Sequence, residues 1–311
     1  MAGAPNRRRE RVLPLRRPLR LALTLGPVRR GGGDPCMRLS DGDFWRATRT
    51  PEGPATVHGA IHHGGGRLYA EAWGPGGAWA LDALPGLVGS EDDDSGFEAR
   101  HPLVAELARR LTGMRIPRTR AVVEALVPTI LEQKVTGTEA LASYRDLVLA
   151  LGEPAPGPAV GPSALLLPPA PDRLAATPSW ALHRYGIERK RADTIRRACG
   201  HAGRLEEAVS MSSSDARARL TVLPGLGPWS AAEVARVALG DPDALSVGDY
   251  HLPHQVAWAL AGQARGSDEL MVELLEPWRG QRGRVARLIV AGGVREPRFG
   301  PRQPLRSWRA W

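Results

Sequence analysis

Cysteine is scarce in this sequence, since Cys36 and Cys199 are the only two among 311 residues. They lie far apart and match no metal-ligand spacing, which excludes a disulfide scaffold, a zinc finger and a four-cysteine iron–sulfur cluster. The sequence also has no run of roughly 18 apolar residues, the length that a membrane-spanning helix needs. We therefore expect a protein that has no membrane partner and requires no cofactor.

Lysine is equally scarce, because Lys134 and Lys190 are the only lysines among 42 basic residues. Arginine supplies the rest of the positive charge, and the net charge is +9 with a pI near 10.6. A charge of this size favours a polyanionic partner. The alternative is an arginine-rich proteome, in which a basic composition carries no functional meaning.

The first third of the chain shows a β pattern after a basic start. Residues 1–13 include Arg7, Arg8, Arg9 and Arg11 and few acids, which predicts a disordered basic arm that attracts phosphate. A transit peptide would look similar, but the basic stretch runs directly into a predicted strand. Residues 14–95 are predicted to form an antiparallel β domain. Its strands, separated by glycine-rich turns, are expected at 19–25, 44–48, 55–61 and 67–73.

The rest of the chain shows helical periodicity, with apolar residues three and four positions apart. The helical region spans residues 96–292, a proline-rich loop at 153–171 interrupts it, and a basic tail occupies 293–311. The predicted fold class is therefore α+β, a small antiparallel sheet followed by an all-helical body. The helices are expected at 101–111, 120–133, 138–151, 188–202, 214–223, 228–239, 252–261, 268–275 and 283–291.

The most informative segment joins two of these helices and reads Thr221-Val-Leu-Pro-Gly-Leu-Gly-Pro-Trp-Ser-Ala-Ala-Glu233. Gly225 and Gly227 permit positive φ and the close approach of another backbone, and Pro228 suits the first turn of a helix. The free N–H groups at the start of the second helix can bind phosphate. A plain helix–helix turn would explain this segment alone, but Asp249 follows Trp229 by twenty residues, and the combination is more specific.

With this combination, the chain resembles the helix-hairpin-helix DNA glycosylase superfamily, and within it the bacterial inducible 3-methyladenine DNA glycosylase branch. The resemblance covers about residues 100–292 with motifs, and it extends to the N-terminal sheet as overall layout. The matching segments are Leu223-Pro-Gly-Leu-Gly-Pro-Trp-Ser-Ala231, Ala238-Leu-Gly-Asp-Pro-Asp-Ala244, Asp249-Tyr250, Ile130-Leu-Glu-Gln-Lys-Val135 and Tyr185-Gly-Ile-Glu-Arg-Lys-Arg-Ala192.

The resemblance implies that Asp249 is the catalytic carboxylate of a monofunctional glycosylase that removes N-methylated purines in base excision repair. The reaction passes through an oxocarbenium-like sugar, which a neighbouring anion stabilises, after the target base has been flipped out of the duplex. A lone carboxylate before a helix is more often a simple N-cap. That alternative stays open for Asp249 when it is considered without the hairpin.

Trp229 occupies the position at which the strand-cutting members of the superfamily carry a lysine that forms a Schiff base with the sugar. An indole cannot do this, so the sequence predicts hydrolysis without lyase activity, unless Lys134 reaches the abasic sugar. An electron-rich ring also attracts a cationic methylated purine, and Tyr250 is a second candidate wall of the base pocket. The alternative for Trp229 is packing against the protein core.

Gln133 and Lys134 match the family's wedge loop, which fills the gap left by the flipped nucleotide; the alternative is an ordinary helix C-terminus. Gly225, Gly227 and Ser230 are the predicted DNA contacts of the hairpin. The basic C-terminal segment is a candidate for further phosphate contacts, through Arg279, Arg282, Arg284, Arg287 and then the arginines from Arg295 to Arg309. The resemblance also implies a structural Na⁺ or K⁺ held by backbone carbonyls, those of Thr221, Leu223 and Leu226.

The sequence departs from the family branch at two places near the site. Glu233 stands where the branch often has another aromatic residue, and Val247 and Gly248 precede Asp249 where the inducible enzyme has a second acid. Both departures bear on which base is bound. The expected partner is double-stranded DNA containing damaged bases, and the resemblance implies a monomer in the bacterial cytoplasm, associated with the nucleoid.

Two other functions remain open. One is a catalytically inactive helix-hairpin-helix protein that only binds DNA, although such a module has no need of a carboxylate at position 249. The other is a bifunctional glycosylase/lyase, including the iron–sulfur type. The missing cysteine cluster and the tryptophan at position 229 argue against it.

Overall fold

A computed structural model describes residues 8–62, 66–158 and 164–297. Its N-terminal part is a five-stranded antiparallel sheet with the strand order β1-β5-β4-β3-β2. The strands are β1 (Arg9–Pro14), β2 (Met37–Leu39), β3 (Asp43–Thr50), β4 (Gly53–Ile61) and β5 (Arg67–Trp73). The strands predicted at 44–48, 55–61 and 67–73 are thus confirmed. Their apolar residues form one core with those of neighbouring helices, and it includes the fully buried Phe44 and Leu68 of the sheet and Leu84.

Two predictions about the N-terminal region are wrong. Residues 9–13 are not part of a disordered arm, because β1 pairs with β5 from Arg9↔Ala72 to Pro14↔Arg67, and such long-range pairing leaves little local signal. Residues 1–7 lie outside the described part of the chain. The expected strand at 19–25 is instead helix α1 (Leu21–Leu25), whose Leu21, Thr24 and Leu25 are buried at three- and four-residue spacing. A short apolar run does not distinguish these two structures.

Each of the nine predicted helices has a counterpart in the structure. The helices after α1 are α2 (Gly77–Asp82), α3 (Leu84–Leu87), α4 (Pro102–Arg110), α5 (Val122–Leu131), α6 (Gly137–Leu151), α7 (Pro171–Ala176), α8 (Ser179–Leu182), α9 (Arg189–Gly200), α10 (Ala202–Glu206), α11 (Ser213–Thr221), α12 (Pro228–Val234), α13 (Leu252–Ala261), α14 (Asp268–Leu275) and α15 (Arg282–Ala291). A π-helical segment, Ala235–Leu239, extends α12. The proline-rich loop contains two short antiparallel strands of two residues each, Glu153–Pro154 and Leu166–Leu167. No helix within the described residues is long and apolar enough to cross a membrane.

The helical body consists of two cores. The first helical core is formed by α5, α6, α9, α11 and α12, and it includes the fully buried Leu126, Leu147 and Ile195. The second helical core is formed by α4, α13, α14 and α15 around Leu107, Val256 and Met271. Helix α4 precedes the first core in sequence and yet packs in the second. The chain therefore crosses between the two cores, and the segment between α12 and α13 is one of the crossings.

The sheet is joined to the first helical core by Glu124 of α5. Its carboxylate accepts hydrogen bonds from Arg46 Nη2 at 2.8 Å, Thr48 Oγ1 at 2.9 Å and the Arg49 backbone N–H at 2.6 Å. Because hydrogen bonds to an ionised group are strong, this contact holds β3 against the N-terminal turn of α5. The position of α5 matters for the site, since the predicted wedge loop follows it.

Two arginines predicted to contact phosphate are buried instead. Arg284 is 4% exposed and pairs with Asp92 at 2.5 Å. Arg287 is 5% exposed, and it donates to the carbonyls of Leu23 and Thr24 in α1. Desolvation, together with nearby cationic side chains, lowers the pKa of Arg287. The prediction is wrong for these two residues, because α15 turns this face towards α1 and residues 92–93 and not towards solvent.

Candidate active site

The hairpin has the predicted form, two helices joined by a tight turn. The side chain of Ser212 caps α11 by accepting the Asp215 N–H at 3.2 Å. After Thr221 the turn closes through the Leu226 N–H, which donates to the Leu223 carbonyl at 3.0 Å. Pro228 then begins α12, at a position where a helix needs no N–H. The start of α12 is therefore held at the surface by local geometry.

The two glycines of the turn have different roles. Gly225 has φ +98°, and a Cβ there would lie 2.4 Å from Oγ1 of Thr194 in α9. Both the backbone angle and the packing therefore require glycine. Gly227 has φ −112°, and a Cβ there would meet nothing within 4 Å. The expectation of positive φ is confirmed for Gly225 and wrong for Gly227.

Asp249 and Trp229 are in direct contact. Trp229 Nε1 donates to Asp249 Oδ2 at 3.0 Å, while the backbone N–H groups of His251 and Leu252 donate to Oδ1 at 2.8 Å and 2.9 Å. Three donors on one carboxylate form an arrangement that suits an anion. Trp229 lies on α12 in the first helical core and Asp249 precedes α13 in the second, so this contact spans the junction of the two cores.

A turn of fixed geometry presents Asp249. Gly248 has φ +93°, and its N–H donates to both carboxylate oxygens of Asp268 at 3.0 Å. The Asp249 N–H donates to the Ser246 carbonyl at 3.2 Å. Because Asp268 begins α14, the second helical core determines where this turn sits. Tyr250 is 79% exposed and makes an edge-to-face contact with His251 at 4.9 Å; its role as a pocket wall stays a prediction.

The predicted wedge loop is attached to the hairpin. Gln133 Nε2 donates to the Gly225 carbonyl and to Ser230 Oγ, both at 3.0 Å. Ser230 is 2% exposed, so its side chain supports the hairpin in this conformation. Lys134 is exposed and has φ +57°, an unusual backbone angle for a residue other than glycine. DNA contacts by Gln133, Lys134 and Ser230 stay predictions.

The sequence matches no family model and no curated protein, but solved structures resemble 90–93% of the chain. The 3-methyladenine DNA glycosylase from Archaeoglobus fulgidus aligns with a TM-score of 0.77 at 17% identity, over 90% of this chain and 97% of that one. MBOgg1 in complex with a low-affinity DNA ligand aligns with a TM-score of 0.69 at 16% identity, over 92% and 97%. The 8-oxoguanine glycosylase/lyase of Clostridium acetobutylicum aligns with a TM-score of 0.68 at 13% identity, over 93% and 99%. The chain has the helix-hairpin-helix DNA glycosylase fold.

Within this glycosylase fold, sequence analysis missed the partners of Glu233. Ser246 Oγ donates to Glu233 Oε1 at 2.5 Å, and Arg236 pairs with the other oxygen. Glu132, at the end of α5, pairs with Arg30 at 3.2 Å. Burial raises the pKa of Glu132, Arg30 lowers it, and the charge of nearby Glu233 raises it further. The absence of the aromatic residue at position 233 was the only signal in the sequence; Arg236 is a neighbour one turn along the same helix, whereas Ser246 comes from the segment before α13.

The predicted cation site lies in the hairpin turn of this glycosylase fold. Backbone carbonyls are hard oxygen ligands, which suit an alkali cation better than a transition metal. The carbonyl of Leu223 also accepts the Leu226 N–H, and it retains a second lone pair. Na⁺ or K⁺ at the carbonyls of Thr221, Leu223 and Leu226 stays a prediction. Among the described residues, no group of three His, Cys, Asp or Glu side chains could hold a metal ion.

Proposed function

We propose that this protein is a DNA glycosylase that hydrolyses the N-glycosidic bond of alkylated purines and leaves the DNA strand intact. The observation that carries this proposal is the carboxylate of Asp249, held by Trp229 Nε1 and two backbone N–H groups at 2.8–3.0 Å. This carboxylate lies where the two helical cores meet. Its indole partner, Trp229, is on α12, the second helix of the hairpin.

The chemistry follows from this arrangement. As the bond between base and sugar breaks, positive charge develops on the sugar, and a fixed anion beside it lowers the barrier. Water adds to the sugar carbon, and its proton passes to solvent. A cationic alkylated purine leaves as a neutral base and needs no added proton. Because three N–H donors already occupy the oxygens of Asp249, electrostatic stabilisation suits this carboxylate better than proton abstraction.

The absence of strand cleavage rests on Trp229. The bound Nε1 orients the indole beside Asp249, so no amine stands where a Schiff base would form in the strand-cutting enzymes. An indole in this position can also stack on an electron-poor base. The two lysines of the chain lie in other segments, Lys134 in the wedge loop and Lys190 on α9.

DNA as the partner is supported by the charge of +9 and by the exposed hairpin. Backbone N–H groups at the start of a helix and exposed cations make the sequence-independent contacts to phosphate. In this proposal Lys134, which is exposed next to Gln133, enters the duplex from the wedge loop. MBOgg1 and the Clostridium acetobutylicum enzyme, both of which align along this chain, have solved structures with bound DNA.

The test is release of base from oligonucleotides that each carry one lesion, scored for strand nicks with and without alkali. Nicks that appear only after alkali indicate base loss without lyase activity. We expect Asp249→Asn to bind lesion DNA and to lose at least a hundredfold in the rate of base release, as loss of a preorganised electrostatic group does. Asp172→Asn, at an exposed position in α7, is the matched control.

If Asp249→Asn retains the wild-type rate, the assignment of Asp249 is wrong. If the wild-type protein binds DNA and releases no base from any lesion, the inactive DNA-binding protein is the better description. Nicks that appear without alkali would instead support the bifunctional alternative.

A further inference from the structure

Trp229 and Glu233 lie four residues apart on α12, about one helical turn and a rise of about 6 Å. Both contact the same short turn, because Trp229 bonds to Asp249 and Glu233 bonds to Ser246. The first turn of this helix face therefore carries the proposed catalytic contact, through Trp229. The next turn carries the carboxylate of Glu233, which is only 14% exposed.

Glu233 retains capacity to bind a ligand. A carboxylate offers about four lone-pair sites, and the described partners of Glu233 are one hydroxyl, from Ser246, and one guanidinium, from Arg236. Glu132 lies close enough for the charge of Glu233 to act on it. This end of the helix face thus combines two acids with the partly exposed Arg236, and the carboxylate of Glu233 is mostly shielded from solvent without being fully buried.

We infer that Glu233 is a specificity-determining residue, which accepts hydrogen bonds from the N–H edge of a flipped, positively charged purine. This inference rests on the proposed function. A base with its sugar beside Asp249 and its ring beside Trp229 would direct its far edge along α12 towards Glu233. The preferred substrate class is then an N-alkylated purine that presents adjacent N–H donors, of the 7-alkylguanine type.

The selectivity has two physical sources. A poorly solvated carboxylate attracts a cationic ring more strongly than it would in water. A neutral ring without N–H donors shields the remaining lone pairs of the carboxylate from water and offers them no donor, and such a mismatch disfavours binding. An aromatic residue at this position would stack on either kind of base and would not distinguish them by hydrogen bonding.

The experiment compares single-turnover release of 7-methylguanine and of 1,N6-ethenoadenine, a neutral base without N–H donors at that edge. We expect Glu233→Gln to slow release of 7-methylguanine at least tenfold and release of ethenoadenine less than threefold. Glu207→Gln, which changes a half-exposed acid paired with Arg219, should change neither rate.

Ser246→Ala separates recognition from packing. This variant removes the hydroxyl partner of Glu233 and leaves the carboxylate, so it should retain the preference for 7-methylguanine. If it reproduces the loss seen in Glu233→Gln, or if Glu233→Gln slows both bases equally, Glu233 acts only through packing and the inference is wrong, while the proposed function stands.

The wild-type protein provides a measurement that does not depend on whether a variant folds. The inference requires its rate enhancement over spontaneous base loss to be at least tenfold larger for 7-methylguanine than for ethenoadenine. An equal enhancement for both bases overturns the inference and leaves a glycosylase of broader specificity. Absence of any release would overturn the proposed function as well.

Discussion

Replacement of Gly225 by alanine tests whether the hairpin is held by its contact with α9. At φ +98° an alanine costs about 1–2 kcal/mol in backbone strain. The new Cβ would lie 2.4 Å from Thr194 Oγ1 and 3.0 Å from Thr194 Cγ2, and such overpacking typically costs about 1–3 kcal/mol. The reduced entropy of the unfolded chain returns about 0.4–1 kcal/mol. We therefore expect Gly225→Ala to lower the free energy of unfolding by about 2–4 kcal/mol.

Chemical denaturation of the full chain measures this loss, and two further variants define its origin. Gly227→Ala, two residues away, should change stability by less than about 0.5 kcal/mol, because φ is −112° and the Cβ would meet nothing. Thr194→Ala should restore about 1 kcal/mol or more in the Gly225→Ala background, the coupling expected of residues in contact. Equal stability of the two glycine variants, or no coupling with Thr194, would refute the reasoning.

Other predictions concern buried charges and thiols. Arg284→Met should lower the free energy of unfolding by about 3–5 kcal/mol, because it leaves the carboxylate of Asp92 buried without its cation; thermal or chemical denaturation measures this, and adding Asp92→Asn should restore part of the loss. A fully stable Arg284→Met variant would contradict it. Burial raises the pKa of the Cys36 thiol, and that of Cys199 to about 12. Since only the thiolate reacts, both should resist alkylation at pH 8 in the folded protein and react after denaturation, which mass spectrometry can follow; rapid labelling of the native protein would contradict the burial of these two thiols.

Local patterns predicted most of the elements. The strand at 67–73 and the helices at 252–261 and 268–275 have the predicted boundaries, because their periodicity extends over enough residues to separate a repeat of two from one of 3.6. The hairpin was equally readable, since Gly225 and Pro228 mark a turn and a helix start by their own backbone chemistry. Residues 9–13 and 21–25 were assigned wrongly, because a short segment takes its structure from the partners it packs against.

The sequence alone determined that the chain has an α+β fold, that a Gly-x-Gly turn joins two helices, and that Asp249 follows the indole of Trp229 by twenty residues. These are properties of local order along the chain. Only the tertiary structure determined that α4 packs with the C-terminal helices, that Arg284 and Arg287 are buried, and that Glu233 meets Ser246. The hydrogen bond between Trp229 and Asp249 is likewise a feature that only the tertiary structure determined. It forms where two separate cores meet, and contacts between such cores depend on the packing of the whole chain, which leaves no periodic signal in the segments that make them.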